Sequence, residues 1–152
     1  MMPCACVCVR RVQAGEPLGS PALRRACAFL LKHQHPNGGW GEDFTSCYNK
    51  AYAARGMELF GDGAHGSSVV CTGWALLALM AAECPDAAAV TQGVAYLAAK
   101  QRPDGDWPQE GIAGVFNRAC GITYTAYRNV FPLWALGRYT TEYEPHVMAN
   151  LR

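Results

Sequence analysis

The chain has 152 residues, of which 51% are hydrophobic and 16% charged, and carries a formal net charge of +1. That length and composition suit one folded domain and exclude a disordered tail. A near-neutral charge with scattered basic residues excludes the basic footprint of a nucleic-acid binder, so no nucleic-acid partner is expected.

In chain order, the opening stretch is cysteine-rich and apolar, Cys4-x-Cys6-x-Cys8, and Arg10 and Arg11 follow it rather than precede it, the reverse of a secretory signal. Residues 1–20 match no pattern and are expected to be disordered. Cys4, Cys6, Cys8, Cys27, Cys47, Cys71, Cys84 and Cys120 include no pair at zinc-knuckle spacing. Several sit inside apolar helical patterns, where a free thiol behaves as a small hydrophobe; no metal site is expected and a reducing compartment fits.

The next segment repeats. Arg24 to Trp40 and Thr91 to Trp107 align without gaps, so that Phe29, Leu30, Gln34, Pro36, Gly38 and Trp40 match Tyr96, Leu97, Gln101, Pro103, Gly105 and Trp107. Each copy reads as an amphipathic helix, one starting near Ser20-Pro21 and the other near Asp86 after Pro85. Each helix ends near its glutamine because a proline two residues later forbids continuation. A glycine turn then returns a Trp towards the helix end, where the glutamine can bond orphan backbone groups of a neighbouring helix under cover of the indole.

A second helix follows each copy. Ser67 to Glu83 carries Val70, Trp74, Leu77, Ala78 and Ala81 and is apolar on nearly every face, which predicts a buried helix. Its apolar run from Val69 to Ala82 is shorter than the roughly 20 residues that span a bilayer. Asn129 to Arg138 carries Phe131, Trp134, Ala135 and Arg138, with Pro132 near its start. A peripheral helix followed by a buried one, twice, predicts a two-layer arrangement of helices with little or no sheet.

The repeated pattern of an aromatic, Leu, Gln and Gly-x-Trp resembles the QW motif of the terpene cyclase/mutase family. Gly38 to Cys47 and Asn117 to Tyr139, preceded by Gly105 to Glu110, resemble the eukaryotic oxidosqualene cyclases in particular. The resemblance covers residues 21–143 and leaves a short tail over 144–152. It implies an all-α fold, a partial (α/α)6 barrel of the terpene cyclase/prenyltransferase toroid kind with two QW-type repeats. It also implies cyclisation of (3S)-2,3-oxidosqualene to a sterol precursor such as lanosterol or cycloartenol by a carbocation cascade, with no metal and no organic cofactor. A peripheral place on the endoplasmic reticulum membrane or lipid droplets is implied by the family alone.

By position in that family, Phe116 matches a cavity phenylalanine that stabilises late ring cations, Tyr124 a cavity tyrosine on the following helix, and Tyr127 a weaker match nearby. The competing reading of all three is ordinary core packing. Phe29, Gln34, Gly38, Trp40, Tyr96, Gln101, Gly105 and Trp107 read as structural members of the repeat. His33, His35, His65 and His146 read as solvated histidines rather than general bases.

The family's catalytic acid lies in an Asp-Cys-Thr-Ala-Glu motif that this sequence lacks; the nearest string, Val70-Cys71-Thr72-Gly73, has valine in the acid's place. Glu42, Asp43 and Glu110 sit in polar turns that suit capping. Three readings follow: the C-terminal portion of a full triterpene synthase, with no catalytic residue of its own; a non-catalytic helical interaction or lipid-binding module derived from one; or another α/α-barrel such as the protein prenyltransferase β-subunits. The last needs a zinc set of Asp, Cys and His that is not found. A partial ring is expected to leave apolar faces uncovered.

Overall fold

The computed structural model describes residues 2–42, 66–112, 114–117 and 120–150; Asp43, Cys47 and His65 lie outside them. In chain order the elements are α1 (Met2–Gln13), α2 (Pro21–Lys32), α3 (Val69–Ala81), α4 (Ala87–Lys100), β1 (Gly114–Phe116), β2 (Cys120–Ile122) and α5 (Tyr127–Arg138). A π-helical turn over Tyr139–Tyr143 then leads into α6 (Glu144–Asn150). The fold is helical with one small antiparallel pair, Gly114 opposite Ile122 and Phe116 opposite Cys120.

Helix α3 forms the centre. All its residues except Trp74 are buried, and α1, α2, α4 and α5 all pack on it. No polar stripe is available to face water, so neighbours must cover every side. At the helix start, buried polar groups accept from the uncovered backbone donors. Ser68 Oγ accepts from Cys71 N at 3.1 Å, and the buried Glu110 carboxylate accepts from Val69 N at 2.7 Å. Glu110 thus caps, as its sequence context suggested, but caps a helix that begins 41 residues before it.

The flanking helices start where capping chemistry put them. Ser20 Oγ accepts from Leu23 N at 3.3 Å ahead of Pro21, and Asp86 Oδ1 accepts from Ala89 N at 3.0 Å. The two turns that follow α2 and α4 are the same object. In each, the glutamine amide donates to the glycine carbonyl four residues on, Gln34 to Gly38 at 2.8 Å and Gln101 to Gly105 at 2.9 Å. In each, the indole donates to a carbonyl in the last helical turn, Trp40 Nε1 to Leu30 O at 2.8 Å and Trp107 Nε1 to Leu97 O at 2.9 Å. Gly38 and Gly105 take φ of +83° and +86°, backbone that a side chain at these positions would strain. The expected roles are thus partly exchanged: the indole donates to a helix-end carbonyl, one that His33 N also reaches in the first copy, and the glutamine closes its own turn. Only the first copy's glutamine is seen to reach a neighbouring helix, Gln34 Nε2 donating to Ala89 O at 2.9 Å.

Three expectations need correction. Residues 1–20 are not disordered throughout: Met2–Gln13 is a helix whose Ala5 and Cys8 enter the core against α3. Ala5 and Cys8 are the small residues that let this helix lie against α3. A short hairpin is present although the sequence shows no alternation, because three-residue strands carry no period to read. The last helix does not stop at Arg138. Thr140 and Thr141 hydroxyls bond back to the Leu136 and Gly137 carbonyls at 2.9–3.2 Å and widen the helix into a π turn. That turn swings Tyr143 inward, where its hydroxyl donates to Cys84 O at 3.4 Å.

The indole bonds yield the first prediction. Trp40→Phe and Trp107→Phe keep a ring in the core but remove the indole donor; Leu30 O retains its bond from His33 N at 3.1 Å, whereas Leu97 O loses the donor at 2.9 Å. Trp107→Phe is expected to lose about 1–3 kcal/mol of stability, and Trp40→Phe less. Denaturant unfolding checks this, and an unchanged midpoint would count against the assigned role.

Candidate functional site

The hairpin, α5 and α3 enclose an apolar cavity of about 470 Å³. Phe116 closes β1 and stands 62% exposed at the cavity edge. Tyr124 sits not on the following helix but in the turn just ahead of α5, where Tyr127 N donates to Tyr124 O at 3.0 Å. Tyr127 opens α5 and stacks on Tyr124, with centroids 4.6 Å apart and an interplanar angle of 20°. The structure therefore brings together all three residues that the resemblance singled out.

It also adds residues that helical spacing alone had assigned to packing. Trp74 meets Phe131 edge-on at 5.1 Å and Tyr127 at 6.1 Å, and Tyr127 meets Phe131 at 5.0 Å. Trp74, Phe131 and Trp134 all line the cavity. A signal for them did exist: Trp74 is the single non-buried position of α3, and Trp-Ala-Leu recurs at Trp74 and Trp134. Periodicity cannot separate a core aromatic from one facing a cavity inside the core. Such walls present aromatic rings, whose quadrupole attracts positive charge at the ring face. Arg138 stands at one side of the cavity with its charge paired to Glu142 at 2.9 Å.

Gly114 sets the reach of Tyr124. A Cβ there would lie 2.7 Å from the Tyr124 ring, so the ring occupies space that only glycine leaves open. Outside the cavity, Asp106 and Arg128 form a two-point ion pair. Arg128 Nε donates to Asp106 Oδ1 at 3.1 Å and Nη2 to Oδ2 at 2.8 Å, while Nη1 donates to Gln109 Oε1 at 3.0 Å. The Arg128 bond, with help from Trp107 N, holds the Asp106 carboxyl down at about 2 from its ordinary 3.8.

The other reactive side chains are structural. Cys8, Cys27, Cys71 and Cys84 are buried free thiols. A hydrogen bond from Cys8, opposed by one from Cys84 and joined by burial, pushes Cys27 up to about 11; burial does the same for Cys71. Such thiols stay protonated at neutral pH and are poor nucleophiles. His33 and His35 are not solvated as expected. His33 lies half-buried 4.4 Å from the Phe29 ring, and burial lowers its pKa. His35 Nδ1 is 2.8 Å from Ser67 Oγ, whose proton goes to Asn37 Oδ1 at 2.9 Å. With the serine proton directed at Asn37, His35 donates to the serine instead of activating it, and the trio pins the first turn to the start of α3. His146 is exposed on α6.

Two predictions follow from this geometry. Asp106 is depressed in the folded chain, so the stability it contributes is present above about pH 4 and is lost as pH falls towards about 2. Thermal melts between pH 5 and 2 should show a steeper acid decline for the natural chain than for Asp106→Asn; parallel curves would refute the coupling. Gly114→Ala should displace the Tyr124 ring and break its stack with Tyr127, read as altered tyrosine ellipticity in the near ultraviolet with the helix content unchanged.

Residues 4–141 match the squalene-hopene cyclase C-terminal domain family. The chain is 49% identical over 128 residues to a lanosterol synthase of Homo sapiens, covering 84% of this chain and 16% of that protein. It is 48% identical over 132 residues to a cycloartenol synthase of Dictyostelium discoideum, covering 87% and 18%. It is 46% identical over 125 residues to an alpha-onocerin synthase of Lycopodium clavatum, covering 79% and 15%. The chain thus spans less than a fifth of the length of these relatives. It belongs to the squalene-hopene cyclase C-terminal domain family, and its sequence corresponds to the C-terminal domain of the oxidosqualene cyclases.

Proposed function

We propose that the chain is the C-terminal portion of a triterpene synthase that cyclises (3S)-2,3-oxidosqualene to a sterol precursor, lanosterol or cycloartenol, through a carbocation cascade. The observation that carries this reading is the aromatic wall. Phe116, Tyr124 and Tyr127 surround one apolar cavity, at the positions where the family resemblance leads one to look for cation-stabilising rings. The repeated Gln-Gly-Trp turns are, on this reading, two QW repeats of an (α/α)6 barrel, of which α2 to α5 form one arc.

The chemistry assigned to these residues is electrostatic. As positive charge develops during ring closure, π faces aimed at it stabilise it by about 2 kcal/mol or more where water is excluded. Phe116 acts at the cavity edge, Tyr124 and Tyr127 from one wall, with Trp74 and Phe131 behind them. Among the described residues no acidic side chain lines the cavity, and the sequence lacks the Asp motif, so on this reading the proton that opens the epoxide comes from elsewhere in the synthase. The substrate is a small apolar molecule, and a peripheral contact with the endoplasmic reticulum membrane suits its solubility. Among the described residues no helix is long and apolar enough to cross a membrane.

A non-catalytic lipid-binding module remains the second reading, favoured by the same cavity combined with the missing acid. Two experiments separate them. The purified chain incubated with oxidosqualene should give no tetracyclic product. Residues 21–143 placed in the corresponding segment of the human lanosterol synthase should support cyclisation, and Phe116→Ala in that chimera should slow it about thirtyfold, the equivalent of about 2 kcal/mol. A folded chimera that binds oxidosqualene without cyclising it would defeat the synthase reading and leave the binding module.

A further inference from the structure

We propose that Arg128 is a positioning residue for the tyrosine pair of the cavity, held in place by Asp106 and Gln109; the proposal rests on the synthase reading for what the cavity takes up. The start of α5 is anomalous. Its N-cap, Ala126, has helical backbone angles and makes no side-chain capping bond. Two residues on stands a guanidinium, although positive charge at a helix N-terminus opposes the macrodipole. Taken alone, this is a poor way to begin a helix.

The repair comes from the turn after α4. The Asp106 carboxylate takes two parallel bonds from Arg128, one from Trp107 N at 2.7 Å and one from the Asn129 side chain. It supplies, from another element, the negative group that the α5 N-terminus lacks. Gln109 receives the remaining guanidinium nitrogen. A fork held at both ends fixes the plane of the guanidinium as well as its charge, which an ammonium could not do. Tyr127 is the preceding residue and carries Tyr124 stacked upon it, so the register of this first turn sets where both rings face.

Two observations favour positioning over general stabilisation. The pair keeps 24% and 28% of its side-chain surface exposed, and ion pairs that water reaches contribute little to stability. The equivalent of Asp106 in the first copy is Gly39, and the helix after that copy is capped by its own Ser68. The turn therefore does not need the acid. It is present in the copy whose following helix bears the cavity rings.

The test uses the full chain with Arg128→Ala, Arg128→Lys and the charge swap Asp106→Arg/Arg128→Asp. Ring resonances of labelled tyrosine report the Tyr124–Tyr127 stack, and quenching of tryptophan emission reports titration with 2,3-oxidosqualene in detergent micelles. Both single variants should lose the ring-current shifts of the pair and bind oxidosqualene about tenfold more weakly, with a melting temperature close to that of the natural chain. Arg128→Lys failing with Arg128→Ala distinguishes the fork from a bare charge, and the swap should recover part of the shifts. Unchanged ring shifts and affinity in Arg128→Ala would overturn the proposal while leaving the synthase reading intact. So would a loss of binding that merely tracks a lowered melting temperature. If the natural chain takes up no oxidosqualene, the substrate reading falls, and the tyrosine resonances decide the positioning role by themselves: lost in the single variants they uphold it, retained they reject it.

Discussion

A helix with no polar side has to be enclosed, and α3 imposes that condition on every other element of this chain. Its 13 residues include no charged group, and only Trp74 stays partly open. Four helices consequently gather round it, and even the cysteine-rich opening segment is drawn in, because Ala5 and Cys8 are small enough to lie against it. The backbone cost of burying the helix start falls on Ser68 and Glu110. A buried donor without a partner costs about 1–3 kcal/mol, so a carboxylate drawn from 41 residues away is a necessary part of the core.

That carboxylate links the core to the cavity. Asp106-Trp107-Pro108-Gln109-Glu110 begins as the second repeat turn and ends as the cap of α3, while its Asp106 and Gln109 hold Arg128 of α5. The hairpin with Phe116 leaves directly from it. One pentapeptide therefore bonds to two elements, α3 and α5, whose side chains help form the cavity wall. The two copies of the repeat share their internal hydrogen bonds and differ in what surrounds them: the first is tied to α3 through His35, Ser67 and Asn37, the second to α5 through Asp106.

The uncovered side of the molecule is equally informative. Val130, Leu133 and Trp134 of α5 are about half exposed, and Trp134 lines the cavity together with Phe116 and Tyr124. The expectation of uncovered apolar faces is met on that side. Relatives about five times longer carry this segment as a small part of the whole. An aromatic wall open on one side agrees with a role as one arc of a larger enclosure.

Much of the local structure could be read from residues alone. Ser20-Pro21 and Asp86 marked helix starts, the repeat located two identical turns, and unbroken apolarity marked α3 as buried, because caps, glycine turns and periodicity act over a few residues. The identities of Phe116, Tyr124 and Tyr127 as candidate wall residues came from the family resemblance. What the tertiary structure decided depends on long-range partners: the helical state of residues 2–13, the hairpin, the cavity-facing positions of Trp74 and Phe131, the reach of Glu110 to Val69, and the pairing of Asp106 with Arg128. None of these carries a readable local pattern: the hairpin's three-residue strands are too short to show a period, and the others exist only where two segments distant in sequence meet and the burial of one supplies the reason for the conformation of the other.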